Sequence, residues 1–338
     1  MKSTTKTQPI FSWTSRLWRS PTESKFTILI IVGLLIYPLF ADPFFTFQIA
    51  GYSLVLGTLA LSLMVLAGYG GMVSLAQVTV AGIAGYAIAI TGTNSSGLAG
   101  WGWPLWLAIP SAIFVAAICS GLIGLLAVRT NGIYTIMITL AITTAFFYFT
   151  RQNYTFFNGF DGLAGIPAPT LLGSNLHDPI PFYYLSLCVA IFFYGAAIYG
   201  ARTPFGLSLM AIRDNARRAE ALGYNVTIHR VVAFFLAGII AGSAGILLAW
   251  FNTQVSPGSV NVSVAIDLLV VAVIGGLRHP IGPFLGAVLF VLLQNFAINF
   301  VSPERFNTAI GAIFVAIVMT SPDGILGLIV RARKLLIN

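Results

Sequence analysis

Apolar stretches of membrane length recur along this chain from Phe26 almost to its end. A helix needs about 20 mostly apolar residues to cross the hydrocarbon core of a bilayer. Ten stretches qualify: 26–41, 48–67, 72–92, 104–128, 132–150, 182–201, 230–250, 264–277, 281–300 and 306–329. Burial in a soluble core does not explain them. Only 8% of the 338 residues are charged, against roughly 25% in a soluble domain, so lipid must face much of the molecule. The chain therefore reads as an all-α polytopic membrane protein of about ten transmembrane helices. Ten spans split into two fives of opposite orientation, which is the arithmetic of an inverted 5+5 repeat. The halves show no convincing sequence match, so this expectation rests on counting.

The net charge of +8 invites a nucleic-acid reading, but the positions of the charges argue against one. Thirteen of the 17 Lys and Arg fall in three short segments: Lys2 to Lys25, Arg202 to Arg230, and Arg331 to Lys334. That is the positive-inside signature. It predicts a cytoplasmic N-terminal tail over 1–25, a transmembrane domain over 26–330 with a cytoplasmic loop at 202–230, and a cytoplasmic basic tail over 331–338. Arg129 and Arg278 fall on the same side, while Arg151 departs from the rule. The stretch FTILIIVGLLIYPLF from Phe26 lacks a small-x-small cleavage site, so it reads as an uncleaved first span rather than a signal peptide. Trp13 and Trp18 suit an interfacial anchor. Cys119 and Cys188 both fall in expected spans and read as small core residues, not a disulfide.

Two spans are not simple helices. The third opens GYGGMVSLAQVTVAG, where Gly68, Gly70 and Gly71 weaken helix. The eighth is short and ends in IGGLRHPIGP. Irregular backbone at membrane depth is tolerated only where it is buried in protein or lines a wet cavity. Gly at tight helix crossings is the competing explanation. The outer loop at about 151–181 is rich in Gly, Pro, Asn and Asp and is long for a membrane connector, which suits an ordered docking loop.

Catalytic and ion-binding equipment is sparse. The lysines are Lys2, Lys6, Lys25 and Lys334, and no phosphate-binding GxxxxGK[ST] loop exists. His177, His229 and His279 are far apart and show no metal spacing. Ion-driven carriers keep ionisable groups inside the membrane. Asp267 is the best candidate here, but Ser263 is placed to cap its helix and leave it in a first turn near the outer surface. A membrane-embedded enzyme has no residues to carry it.

The stretch TPFGLSLMAIRDNARRAEALGYN, from Thr203, is therefore unexpected. Leu209, Ile212, Ala216 and Ala219 form an apolar stripe at helical spacing. Arg213, Asp214, Arg217, Arg218 and Glu220 cover the other sides. Asp214 is spaced to pair with Arg217 or Arg218, and Glu220 with Arg217, while Gly223 suits a left-handed helix end. A solvated surface helix is one reading; a grip for a cytoplasmic subunit that hydrolyses ATP is the other. A transporter with neither ion site nor nucleotide site draws its energy from outside, which favours the second.

Five motifs, in order, resemble those of permease subunits of branched-chain amino acid ABC transporters, the LivH/LivM type and more closely LivM. They are GYGGMVSLAQVTVAGIAGYAIAI (68–90), RTNGIYTIMITLAI (129–142), FNGFDGLAGIPAP (157–169), RTPFGLSLMAIRDNARRAEALGYNV (202–226) and VIGGLRHPIGPFLGA (273–287). The resemblance implies an inner-membrane importer subunit for branched-chain or other small amino acids, without a cofactor of its own. It implies as partners a second homologous permease, two ATP-hydrolysing subunits and a periplasmic substrate-binding protein. It also implies that Leu207 to Gly223 is a coupling helix, with Leu209, Ile212, Arg213, Asp214, Arg217, Glu220 and Gly223 at the ATPase contact. Gly71, Ser74, Gln77, Thr79 and Gly82 are the expected substrate pathway. Gln77 stands where members often have His, and Arg278-His279 replace a Gly-rich pair. These departures leave open a related permease for urea or a small amide. An ion-coupled carrier or channel is the rival outside the family.

Overall fold

The computed structural model describes residues 33–95, 100–130, 132–171, 174–296, 311–312, 315 and 324–327. The expected terminal tails lie outside these residues, as do the start of the first span (26–32) and most of the tenth. The described chain is helical. In order, the principal helices are α1 (Phe45–Tyr69), α2 (Gln77–Thr91), α3 (Leu105–Ala127), α4 (Ile133–Gln152), the single turn α5 (Tyr154–Phe157), α6 (Pro179–Arg202), α7 (Pro204–Asp214), α8 (Ala216–Ala221), α9 (Val226–Asn252), α10 (Val262–Gly275) and α11 (Gly282–Phe296). Helices α1, α3, α4, α6 and α9 are long and apolar enough to cross a membrane, whereas α2, α10 and α11 are apolar but shorter.

Small residues let the helices approach closely. Lipid tails are as apolar as leucine, so packing contacts and hydrogen bonds hold helices together in a bilayer rather than exclusion of water. Helix α9 is the clearest case. A Cβ added at Gly245 would lie 2.0 Å from the Ala81 carbonyl oxygen of α2, and one at Gly238 would lie 2.4 Å from Ser120 Cβ of α3. Ser120 Oγ donates to the Phe234 carbonyl over 2.6 Å, adding a polar tie within the same contact. The apolar windows of α1 and α9 are 78% and 67% buried, against 22% for α4. Thus α1 and α9 are the central helices, and α4 presents most of its surface outward.

Two faces follow from the contacts. One carries α7 and α8 together with the ends of α1 and α10. The other carries the long loop after α4, where β1 (Leu163–Ala164) pairs antiparallel with β4 (Gln254–Val255), just beyond α9. A second short pair, β2 (Thr170–Leu171) with β3 (Ser174–Asn175), folds within the same loop. The expectation of an ordered loop at 151–181 is met in its described part.

Several local expectations need correction. The helix expected from Leu207 to Gly223 is two helices, broken at Asn215, where φ is −160° and ψ is 97°. Asn215 Oδ1 accepts from the Arg218 N–H and so caps the second helix. Gly223 sits just past α8 with φ +89°, as expected of a helix end. The cap of α10 is Asn261, not Ser263, which places Asp267 in the second turn rather than the first. Both cysteines are free, but Cys188 is exposed and Cys119 only partly buried, so neither is a core residue.

Candidate functional site

Helix α1 does not end as a regular helix. Its last turn, Val65–Tyr69, widens into a π-turn. The Met72 N–H, which an α-helix would give to Gly68, bonds the Leu66 carbonyl instead. The Gly68 carbonyl is taken by another element: Arg213 Nη1 of α7 donates to it. Arg213 also donates through Nε and Nη2 to Asp214 Oδ1, at 2.9 and 2.7 Å. One guanidinium thus joins the charged segment to the end of a membrane helix. The sequence spacing pointed to Arg217 or Arg218 as the partner of Asp214, and the structure gives Arg213.

Glycine is required on both sides of this joint. Gly71 has φ +69°, and a Cβ there would lie 2.5 Å from Arg213 Cγ. A Cβ at Gly68 would lie 2.2 Å from the Leu277 carbonyl oxygen. Leu277 belongs to the turn after α10, the second place where irregular backbone was expected. The two breaks therefore meet, with Arg213 against the first of them. In the second turn, His279 Nδ1 accepts from the Ile281 N–H, and burial holds the imidazole below the usual histidine range.

From Gly71 the chain runs irregularly to Ala76 and enters α2 at Gln77. A stripe of threonines on α4 receives it. Thr135, Thr139, Thr143 and Thr150 are the buried residues of that helix. The Leu75 N–H donates to Thr139 Oγ1 over 3.1 Å, and the Leu75 carbonyl lies 3.3 Å from Thr143 Oγ1. Thr79 Oγ1 donates to Thr143 Oγ1 over 3.0 Å. A peptide outside regular helix is thereby satisfied by side chains, as membrane depth demands.

The five expected pathway residues separate on this geometry. Gly71 belongs to the Arg213 joint. Ser74 Oγ accepts from the Ala76 N–H within its own turn. Thr79 is committed to Thr143. Gly82 is a packing glycine, since a Cβ there would lie 2.0 Å from Val260. Gln77 is different: it is fully buried, and neither its amide nitrogen nor its oxygen has a hydrogen-bond partner among the described residues. The sequence reading missed the threonine stripe, although threonine at four-residue spacing in TIMITLAITTAFFYFT was a readable signal. It also missed the Gly68 and Leu277 contacts, which no local pattern encodes.

The expected coupling residues also divide. Leu209, Ile212 and Ala219 are buried. Ile212, Ala219 and Val226 form one cluster with Ala216 packed on it, so the stripe faces this chain rather than a partner. Leu207, Leu222 and Tyr224 are exposed, as are Asp214, Arg217, Arg218 and Glu220. Glu220 interacts electrostatically with Arg230, at the start of α9. No group of three metal-binding side chains occurs among the described residues. At the far end of α4, an open recess of about 410 Å³ is lined by Phe149, Gln152, Asn153, Tyr154 and Thr155.

The described helices form a membrane-type bundle with interrupted backbone and a charged element bonded to the interruption. Residues 45–319 match the family described as branched-chain amino acid transport system / permease component, and the chain belongs to that family. It is 26% identical to the high-affinity branched-chain amino acid transport system permease protein LivM of Escherichia coli, over 88% of this chain and 74% of that protein. It is equally similar to LivM of Salmonella typhimurium, over 82% of this chain, and spans 66% of that protein's length. Identity to the ribose import permease protein RbsC of Haemophilus influenzae is 22%, over 74% of this chain and 79% of that protein. No solved structure matches the chain.

Proposed function

We propose that this chain is the membrane-spanning permease subunit of an ATP-driven importer for branched-chain or other small amino acids. It acts with a second homologous permease, two ATP-hydrolysing subunits and a periplasmic substrate-binding protein, in the inner membrane. Residues 202–230 and both termini face the cytoplasm. The observation that carries this reading is the Arg213 joint, where a charged, soluble-looking element holds the last turn of a membrane helix beside two backbone breaks. Movement of α7 by a partner is thereby passed to the interrupted segment. The exposed side of α7 and α8, from Leu207 to Tyr224, receives the ATPase. The loop around β1 and the recess beside Tyr154 receive the binding protein.

The amino-acid reading is favoured over a sugar because the two LivM relatives match more of this chain, at higher identity, than the ribose permease does. A permease for urea or a small amide is the second reading, favoured by an amide side chain, Gln77, in the broken segment. The test is to co-purify the chain with its ATPase and permease partners. ATP hydrolysis is then measured with binding protein and leucine, valine, urea or ribose. Stimulation by the amino acids alone supports the proposal. Counterflow in liposomes lacking the ATPase would replace it with a carrier.

A further inference from the structure

Helix α2 begins inside the molecule, and that is a costly place to begin a helix. The first N–H groups of any helix lack intrahelical partners. Here Gln77, Val78 and Thr79 supply them, and all three residues are buried. Ala76 provides no capping side chain. The nearest hydroxyl that suits the role, Ser74 Oγ, is already bonded to the Ala76 N–H. Apart from the weak turn closed at Leu75–Ala76, no hydrogen bond of good geometry to the N–H of Gln77, Val78 or Thr79 is formed among the described residues.

Gln77 occupies the first position of the same helix turn, fully buried, with both ends of its amide unpartnered. Side chains of a helix lean toward its N-terminus, which for a residue at the first position is the end that carries the unpaired N–H groups. Backbone donors, one side-chain donor and one side-chain acceptor are thus collected in one buried place. Gln77 shares a helix face with Ala81 and Gly85, which pack on Gly245 of α9. The cluster therefore lies beside the α2–α9 contact, next to the interrupted segment.

We propose that the N-terminus of α2, with Gln77, is a binding site for the carboxylate of the transported solute. The free N–H groups and the positive end of the helix dipole hold the anion, and the Gln77 amide nitrogen adds a donor. The Gln77 oxygen remains to accept from the ammonium group of an amino acid. This proposal rests on the importer reading above and names the chemical group that the importer recognises within the membrane.

The experiment uses the assembled permease–ATPase complex without the soluble binding protein, so that the latter's selectivity does not enter. L-Leucine is expected to raise the melting temperature of the wild-type complex, because a ligand of the folded state stabilises it. Leucinamide, which lacks the carboxylate, is expected to raise it at least tenfold less effectively in concentration. Gln77→Leu is expected to assemble, to melt no lower than wild type, and to lose the leucine shift together with at least nine-tenths of leucine uptake once binding protein is added. Gln77→Glu keeps size and polarity but repels an anion, and is expected to lose the shift as well. A leucine shift retained in both variants overturns the proposal, as does a shift produced by ribose and not by leucine. If leucine-loaded binding protein stimulates wild-type ATP hydrolysis and both variants match wild type, the carboxylate site alone fails. If no amino acid stimulates the wild-type complex, the importer reading fails and takes the site with it.

Discussion

Arg213 is the residue whose surroundings explain most about this chain. A helix end leaves carbonyls without partners, and α1 meets one of them with a cation from another element. A hydrogen bond to a charged group is worth roughly 1.5–3 kcal/mol. Replacing Arg213 with Ala leaves Asp214 without its partner and the Gly68 carbonyl without its cation. ATP hydrolysis by the complex is expected to persist while amino-acid uptake falls about tenfold, the change that ~1.4 kcal/mol produces. Lysine is not expected to restore uptake, because an ammonium lacks the planar fork that reaches Asp214 and Gly68 together. Equal losses of hydrolysis and uptake would mean that Arg213 only holds the fold. The sequence disclosed that Arg213 was in a special segment but not what it touches, because Gly68 lies 145 positions away.

Among the elements, α7 and α8 show where a periodic pattern informs and where it misleads. The stripe from Leu209 to Ala219 was legible and is buried as its spacing implied. The break at Asn215 was not, because the apolar stripe carries on across it. Which side faces a partner was not legible, since a stripe says that a face is covered and not by what. Ile212→Asp is therefore expected to destabilise the permease itself by several kcal/mol, the cost of an unpaired buried charge, seen as lost expression or a lower melting temperature. Leu222, 78% exposed, is the better probe of the partner. Leu222→Asp is expected to leave melting unchanged and to release the ATPase in pull-down. At the α2–α9 contact, Gly245→Ala sets a Cβ against the Ala81 carbonyl. Overpacking of that kind costs about 1–3 kcal/mol, expected as a melting temperature several degrees lower in detergent. The short α2 and the break before it were readable from Gly68, Gly70 and Gly71. The threonine stripe that anchors the break needed three dimensions.

For the whole molecule, the apolar runs announced a helical membrane bundle and the structure carries it. Five helices long and apolar enough to cross a membrane and three shorter apolar ones lie among the described residues. Which face is cytoplasmic was inferred from the distribution of Lys and Arg, a signal that belongs to membrane insertion and leaves no mark in packing. With Cys119 and Cys188 replaced, a cysteine at 215 is expected to react with a membrane-impermeant maleimide only in permeabilised cells, and one at 160 in intact cells. Labelling of 215 from outside would invert the scheme. The inverted 5+5 repeat rests on the count of apolar runs alone.

The antiparallel pairing of Leu163 with Val255 has a consequence for biosynthesis. Its two strands belong to loops on either side of α6 to α9. A nascent chain inserts from its N-terminus, so the loop after α4 reaches its side of the membrane long before its partner is made. It waits there unclasped until α9 has been threaded. A ribosome stalled before residue 255 would hold a bundle with that latch open, in which the segment around Gly162 is cut by added protease; release past α9 would protect it.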